Sequence, residues 1–400
     1  MDQGMNNPGP DDPQPDDPQA DDLQPEDPRP DDLVPGGSGS KPKKKKRKPS
    51  KPPQSDDDAD VGSLTIPLRC RADQTVERLK VGSFQFPLGV YPVEEMTPKG
   101  GYTLLFEPSD ADNGTGGGEA EWEEWPDRYL FDAVISAERL RALCMQLFSL
   151  FRGRVYPILD VLGQDDYREV DPYISYDLIG IDRYTDTIRR LKDFFFEDGL
   201  CGFGAMTEEP FFYVFVDEHK IVTVRAEPAM KEKLEKILHA FDLEEMAEPA
   251  GADSAAHEHR SVLETPKDRP EFLNMDEIQE RLRDEWRLLL NIDVRSNVDD
   301  EGNELGVTLW RCEVRCWDDE TEPPRYSEVL LAAGNMEDAE DAALEATERL
   351  GSEKSEPFGD MVVIRADRVK PERLKEFTEK KVTTQQMKES GRIISVRWLE

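Results

Sequence analysis

Histidine is scarce in this chain, with four in 400 residues: His219, His239, His257 and His259. Cysteine is little commoner. Cys70, Cys144, Cys201, Cys312 and Cys316 are odd in number, widely scattered and form no CxxC pair. That usage fits a reducing compartment in which thiols serve as small apolar side chains. No stretch approaches the ~18 consecutive apolar residues of a membrane span, so no membrane insertion is expected. The N-terminus lacks a charged start followed by an apolar stretch, so no secretory signal is expected either. A G-x-x-x-x-G-K-[ST] sequence is absent, which excludes an ATP or GTP loop of that type. Basic residues are outnumbered, 51 Lys and Arg against 87 Asp and Glu, for a formal net charge of -36. Such a field repels phosphate backbones and anionic lipid and argues against nucleic acid as the partner of the folded part. The expectation is a cytoplasmic protein, nuclear only in a eukaryotic source.

What is present begins with a tail. Residues 10–34 repeat every five residues as PDDPQ, PDDPQ, ADDLQ, PEDPR and PDDLV. Dense proline removes backbone donors, and the paired acids repel one another. Little apolar surface is available to offset an ordering cost of about 1–2 kcal/mol per residue. Residues 1–61 therefore read as a long disordered tail. Within it a GGSGS joint leads to a basic run that includes Lys43, Lys44, Lys45, Lys46, Arg47 and Lys48. Three readings stand: an unstructured block folding back on Asp56, Asp57, Asp58 and Asp60, weak polyanion contact, or an import signal, which the run resembles.

Hydrophobic periodicity starts near Val61. Residues 62–128 read as β-rich, with an acidic loop at 108–125 whose Trp122 and Trp125 are expected to return to the core as a lid or to grip a ligand. Residues 129–246 alternate strands and amphipathic helices. Leu140, Leu143, Cys144, Leu147 and Phe151 mark one helical stripe, and Ile181, Tyr184, Ile188, Leu191 and Phe195 mark another. Asp198-Gly199 is expected to end the second helix, with glycine in the left-handed region. CGFGAM, FFYVFV and IVTVRA read as strands, FFYVFV as a central one covered on both faces. The fold class expected is α+β, small antiparallel or mixed sheets with helices on one face, in a ferredoxin-like style for this central domain. Residues 247–273 read as a linker. Asn274 with Glu277 forms a capping-box pattern at the head of an α-β-β-β-α module, 274–352, whose first strand is NIDVRS. Residues 353–400 close the chain as β-α-β, with Trp398 tying down the last strand.

In order, length and helix pattern, with Ala339 and Ala343 on the last helix, the stretch 275–350 resembles a double-stranded-RNA-binding domain. That family opens its last helix with lysines aimed at phosphates. Here Met336, Glu337 and Glu340 stand at those positions, so the resemblance implies the fold with RNA binding lost and protein contact in its place. Gly202-Phe203-Gly204 is similar to a strand signature of the RNA-recognition motif, but Cys201, Ala205 and Glu208 occupy its basic and aromatic positions. The glycines read as room for close backbone approach. Their spacing, G-x-x-G-x-G between a helix and a strand, is not a dinucleotide fingerprint.

For chemistry the sequence offers little. His257 and His259 could share a metal ion, yet a rigid site needs three or four ligands, so no metal site is expected. His219 falls in a hairpin turn and His239 on a helix flank. Cys312 and Cys316 share a strand face that suits burial, and Cys201 has no histidine placed to activate it. No catalytic residue and no cofactor are expected. One neighbourhood, dense in acids and tyrosines, is a candidate polar pocket: Asp165, Asp166, Tyr173, Tyr176, Asp177 and Asp182. The expected function is a non-enzymatic protein-interaction or scaffolding protein whose protein partner and oligomeric state the sequence does not specify. Alternatives are a small-molecule-sensing regulatory protein, an enzyme with an unfamiliar site, and weak nucleic-acid binding through the lysine run.

Overall fold

A computed structural model describes residues 69–109, 126–266, 268–269, 271–317, 325–353 and 360–399. The tail with its lysine run, and the loop bearing Trp122 and Trp125, lie outside the described residues. The fold is mixed α+β, with antiparallel sheets and helices.

Three short strands come first, β1 (Lys80–Val81), β2 (Phe84–Gln85) and β3 (Val90–Pro92), followed by β4 (Gly101–Glu107) and β5 (Arg128–Val134). Next come α1 (Ala137–Phe148), β6 (Arg154–Leu162), β7 (Val170–Ile174), β8 (Ile179–Gly180), α2 (Ile181–Arg190) and α3 (Lys192–Glu197). Strands β9 (Cys201–Thr207), β10 (Phe212–Val216) and β11 (Val222–Ala226) precede α4 (Lys231–Ala240), β12 (His257–His259), α5 (Met275–Trp286) and β13 (Leu289–Leu290). The chain ends with β14 (Thr308–Trp317), β15 (Arg325–Ala333), α6 (Met336–Glu353), β16 (Asp360–Val369), α7 (Leu374–Phe377), α8 (Thr384–Met387) and β17 (Arg392–Leu399).

The first core is a nine-stranded antiparallel sheet in the order β13-β7-β6-β9-β10-β11-β5-β4, with β8 paired to β6. It is wider than a four-stranded plait. Strand residues alternate faces. Val155, Leu159, Phe203, Val214 and Val224 thereby share one face and pack against Leu143 and Leu147 of α1, Tyr184 and Ile188 of α2, Phe195 of α3 and Leu234 of α4. The other face is less covered. Strand β10 is central, as expected, but Tyr213 and Phe215 stay only half-buried on the side away from the helices.

Helix α5 carries the expected capping box, with Asn274 accepting from the Glu277 N–H and Glu277 accepting in return. Its buried residues Ile278, Leu282 and Trp286 enter this first core, where the Trp286 ring stacks on Phe195. That placement removes the first helix of the expected α-β-β-β-α module. Residues 291–295 of NIDVRS form no strand, and only Leu289–Leu290 pairs, with β7. The second sheet runs β16-β14-β15-β17 under α6, with Cys312, Val314 and Cys316 packed against Ala339 and Ala343. The topology is therefore not that of the RNA-binding module. The short apolar pattern of NIDVRS is consumed by turns instead of a third paired strand.

The two sheets are joined by a buried ion pair. The Asp165 carboxylate accepts from the Arg368 Nε and backbone N–H at 2.8–3.0 Å, and the side chains are 0% and 4% exposed. Asp166 accepts from the Lys370 N–H and Arg373 Nη1. Among the described residues no helix is long and apolar enough to cross a membrane.

Candidate metal centre

The stretch expected as a linker is an ordered strap over the end of the large sheet. Ala250 exchanges backbone hydrogen bonds with Lys99, and β12 pairs with β3. Beyond it, buried Asp198 accepts from the Ser261 hydroxyl at 2.8 Å and from the N–H groups of Val262 and Leu200. Burial pushes the Asp198 carboxyl up, against the hydrogen bonds that pull it down.

Gly199 explains how the strap comes so close. It does not adopt the left-handed conformation expected of it, since the preceding Asp198 already ends α3 in an extended conformation. Instead, a Cβ on Gly199 would lie 2.0 Å from the Gly89 carbonyl oxygen, and one on Gly89 would lie 2.1 Å from the Gly199 nitrogen. The bare backbones let three segments bond at one point: Gly89 N–H to Glu197 O, Arg260 N–H to Gly89 O, and Gly199 N–H to Arg260 O.

The strap sets His257 and His259 on one face of β12, because residues two apart on a strand point the same way. Opposite them is the β10–β11 turn. Asp217 closes it by donating its N–H to Ile221 O and accepting the Ile221 N–H on Oδ1. Lys220 is held in the left-handed region at φ 68°, its buried ammonium donating to the Cys201 carbonyl at 2.5 Å. This turn presents His219 to the strap.

The three imidazoles converge. Nε2 of His257 lies 3.0 Å from Nε2 of both His219 and His259. Ring centroids are 4.7, 4.8 and 4.8 Å apart, with interplanar angles of 75°, 77° and 82°, close to a three-bladed propeller. The outer nitrogens fix the tautomers. His257 Nδ1–H donates to Ala255 O at 2.7 Å and His259 Nδ1–H to Gly199 O at 2.8 Å. His219 Nδ1 faces the carboxylates of Asp217 at 3.4 Å and Glu218 at 3.3 Å. With the protons on Nδ1, three Nε2 lone pairs are directed at one another. Neutral imidazoles so arranged repel unless a cation sits among them.

A zinc ion with bonds of about 2.0–2.1 Å in tetrahedral geometry sets its nitrogens about 3.3 Å apart, within a few tenths of the contacts observed. Carbonyl and carboxylate partners on Nδ1 are the outer support that metal-bound histidines require. Electrostatics differ between the rings. Burial, and then the neighbouring His219, lower His259 to about 4, which leaves it neutral and free to ligate. Burial also pulls His219 down, but the Asp217 hydrogen bond and the charges of Asp217, Glu218 and Asp253 outweigh it and raise its proton affinity. The same acids attract a metal cation.

In sequence only His257 and His259 are neighbours, His219 lying 38 residues from His257. The usable signal was that HEH alternates on a strand while a third histidine occupies a hairpin tip. The six residues of the acid- and tyrosine-rich neighbourhood do not share one cavity. Asp165 and Asp166 bind arginines, and Asp177 pairs with Arg287 on the surface. Tyr176 is 67% exposed and donates to Asn291 Oδ1, and Asp182 is exposed in the first turn of α2. Tyr173 is buried and accepts from Gln279. Strand alternation and the turn after β7 send these side chains in different directions. Comparison with known proteins adds no further constraint: no family model, curated protein or solved structure matches the chain.

Proposed function

We propose that this chain is a metal-binding interaction protein in which His219, His257 and His259 hold a zinc ion through Nε2. The observation that carries the reading is the convergence of three Nε2 lone pairs whose Nδ1 atoms are already committed. Three imidazoles leave a fourth position for water or an outside ligand, and nitrogen donors favour borderline first-row ions. The metal joins a hairpin tip to a strap, so its role is to fasten the strap to the sheet.

Thiol catalysis is disfavoured by the fate of the nucleophile candidates. All five cysteines are buried. Burial pushes Cys70 to about 11 and Cys201 to about 12, and raises Cys144 and Cys312 further. Such thiols remain protonated and unreactive.

The test is zinc titration of untagged, chelator-treated protein against a competing indicator. One ion per chain is expected, with His219→Ala and His257→Ala each weakening binding by at least roughly 100-fold, and His239→Ala, outside the cluster, leaving it unchanged. Zinc stoichiometry preserved in the triple variant of residues 219, 257 and 259 would overturn the reading.

A further inference from the structure

A second polar site lies away from the histidines. A cleft of about 500 Å³ runs along the edge strand β16, bounded by α5, the start of α6 and the end of the β6–β7 hairpin. That size is within the range of small-molecule sites. Its ionisable lining includes Asp171, Asp367, Glu340, Arg168, Arg283 and Arg365. Leu289, Leu290, Val294 and Met336 supply apolar wall.

The cations are already engaged. Arg168 donates to Asp171 Oδ1, Arg365 to Asp276 Oδ1, and Arg283 to the Ile364 carbonyl while lying over the Tyr173 ring. Arg311, across the sheet from Asp367, is engaged with Glu313 and Glu328. Asp367 is left over. It is 4% exposed, its Oδ2 has no hydrogen-bond partner, and the Arg365 Nε lies 3.7 Å away, beyond hydrogen-bond reach. A buried carboxylate oxygen without a donor is costly. Both Arg168 contacts with Asp171 fall on its Oδ1, and Glu340 also lines the cleft. Three guanidiniums and the Gln164 and Gln279 amides line the same cleft, yet none of them donates to Asp367 Oδ2. The cleft is not arranged as a chelate, because Asp171, Asp367 and Glu340 are not among the tight metal-competent groups of the described residues.

We propose that this cleft binds a small aliphatic primary amine, its ammonium donating to Asp367 Oδ2 and its hydrocarbon body lying on Leu289, Leu290 and Val294. An ammonium brings donors and one positive charge to the buried Asp367 Oδ2 that no protein group reaches, and a chain of several carbons matches the apolar side. The proposal is independent of the metal centre, which shares no residue with the cleft.

The test uses full-length protein at about pH 8, where Asp367 is ionised and the amine still protonated, with calorimetric titration and melting temperature, n-hexylamine as the probe and n-hexanol and hexanoate as controls at matched ionic strength. Hexylamine is expected to bind one per chain and raise the melting temperature, and the two controls to do neither. Asp367→Asn should weaken hexylamine binding by roughly tenfold or more, the equivalent of one lost charge-assisted contact. Glu340→Gln should weaken it less, and provides the measurement if the first variant fails to fold. His257→Ala should leave it unchanged, which separates this site from the zinc reading. The proposal is overturned if hexylamine does not saturate, if hexanol binds equally well, or if neither carboxylate substitution alters the affinity.

Discussion

Two polar clusters in this molecule are built on opposite principles. Around Asp165 and Arg368 almost every polar atom has its complement. The carboxylate takes the guanidinium and the Tyr167 and Arg368 N–H groups, while Arg368 Nη1 reaches Asn297 and the Val298 carbonyl. Around His219, His257 and His259 the outer nitrogens are matched, but the inner ones face only each other. Both clusters join segments remote in sequence. The first is complete with protein alone and serves as a tie. The second requires a cation to become one. A saturated buried cluster thus reads as architecture, and one saturated on its outside only reads as a site.

That contrast can be broken by measurement. The largest effect is expected at the complete tie. Asp165→Ala should cost about 3–5 kcal/mol in urea unfolding, because it strands a buried guanidinium, whereas Asp165→Leu with Arg368→Met should recover much of the loss. At the incomplete cluster, zinc at a thousand times its dissociation constant should stabilise the protein by about 4 kcal/mol, and chelator should remove that increment. His219→Ala should abolish the increment with little change in the chelated state. If Asp165→Ala is mild and zinc has no effect, the distinction between the clusters fails.

A third measurement concerns Asp367, whose Oδ2 has no hydrogen-bond donor. Burial raises its carboxyl to about 7, only partly offset by Arg365, from about 3.9 in the unfolded chain. The folded state then holds a proton that the unfolded state has released. Asp367 therefore lowers stability progressively as pH rises from about 4 to about 7. Asp160, raised to about 7 by burial and by Glu218, acts in the same direction. Asp367→Asn should gain stability relative to wild type across that window, and a pH-independent difference in unfolding free energy would contradict this account. The smallest effect is expected at Asp177 and Arg287, both well exposed, where Asp177→Ala should leave the melting temperature unchanged within error.

Much of the fold was legible because local pattern and tertiary demand agree. The α1 stripe, the three strands from Cys201 to Ala226, the Asn274 capping box and the closing strand with Trp398 are all where periodicity and cap chemistry place them. What was not legible depends on which core an element joins. The apolar face of α5 specifies burial but not its partner, and it packs against Phe195 rather than the sheet that follows it. Residues 250–263 resemble a linker in composition because their fixation is by backbone hydrogen bonds, which leave no hydrophobic period. The histidine cluster was hidden for the same reason, since His219 meets His257 and His259 only through that strap.

The contact between Gly89 and Gly199 carries a consequence for how this protein can fail. Any side chain at either position must wedge the crossing apart, and His259 takes its orientation from the carbonyl of Gly199 itself. A single methyl group there would act as a steric lever, spreading the imidazoles and abolishing the proposed metal affinity in a protein whose three histidines are all intact.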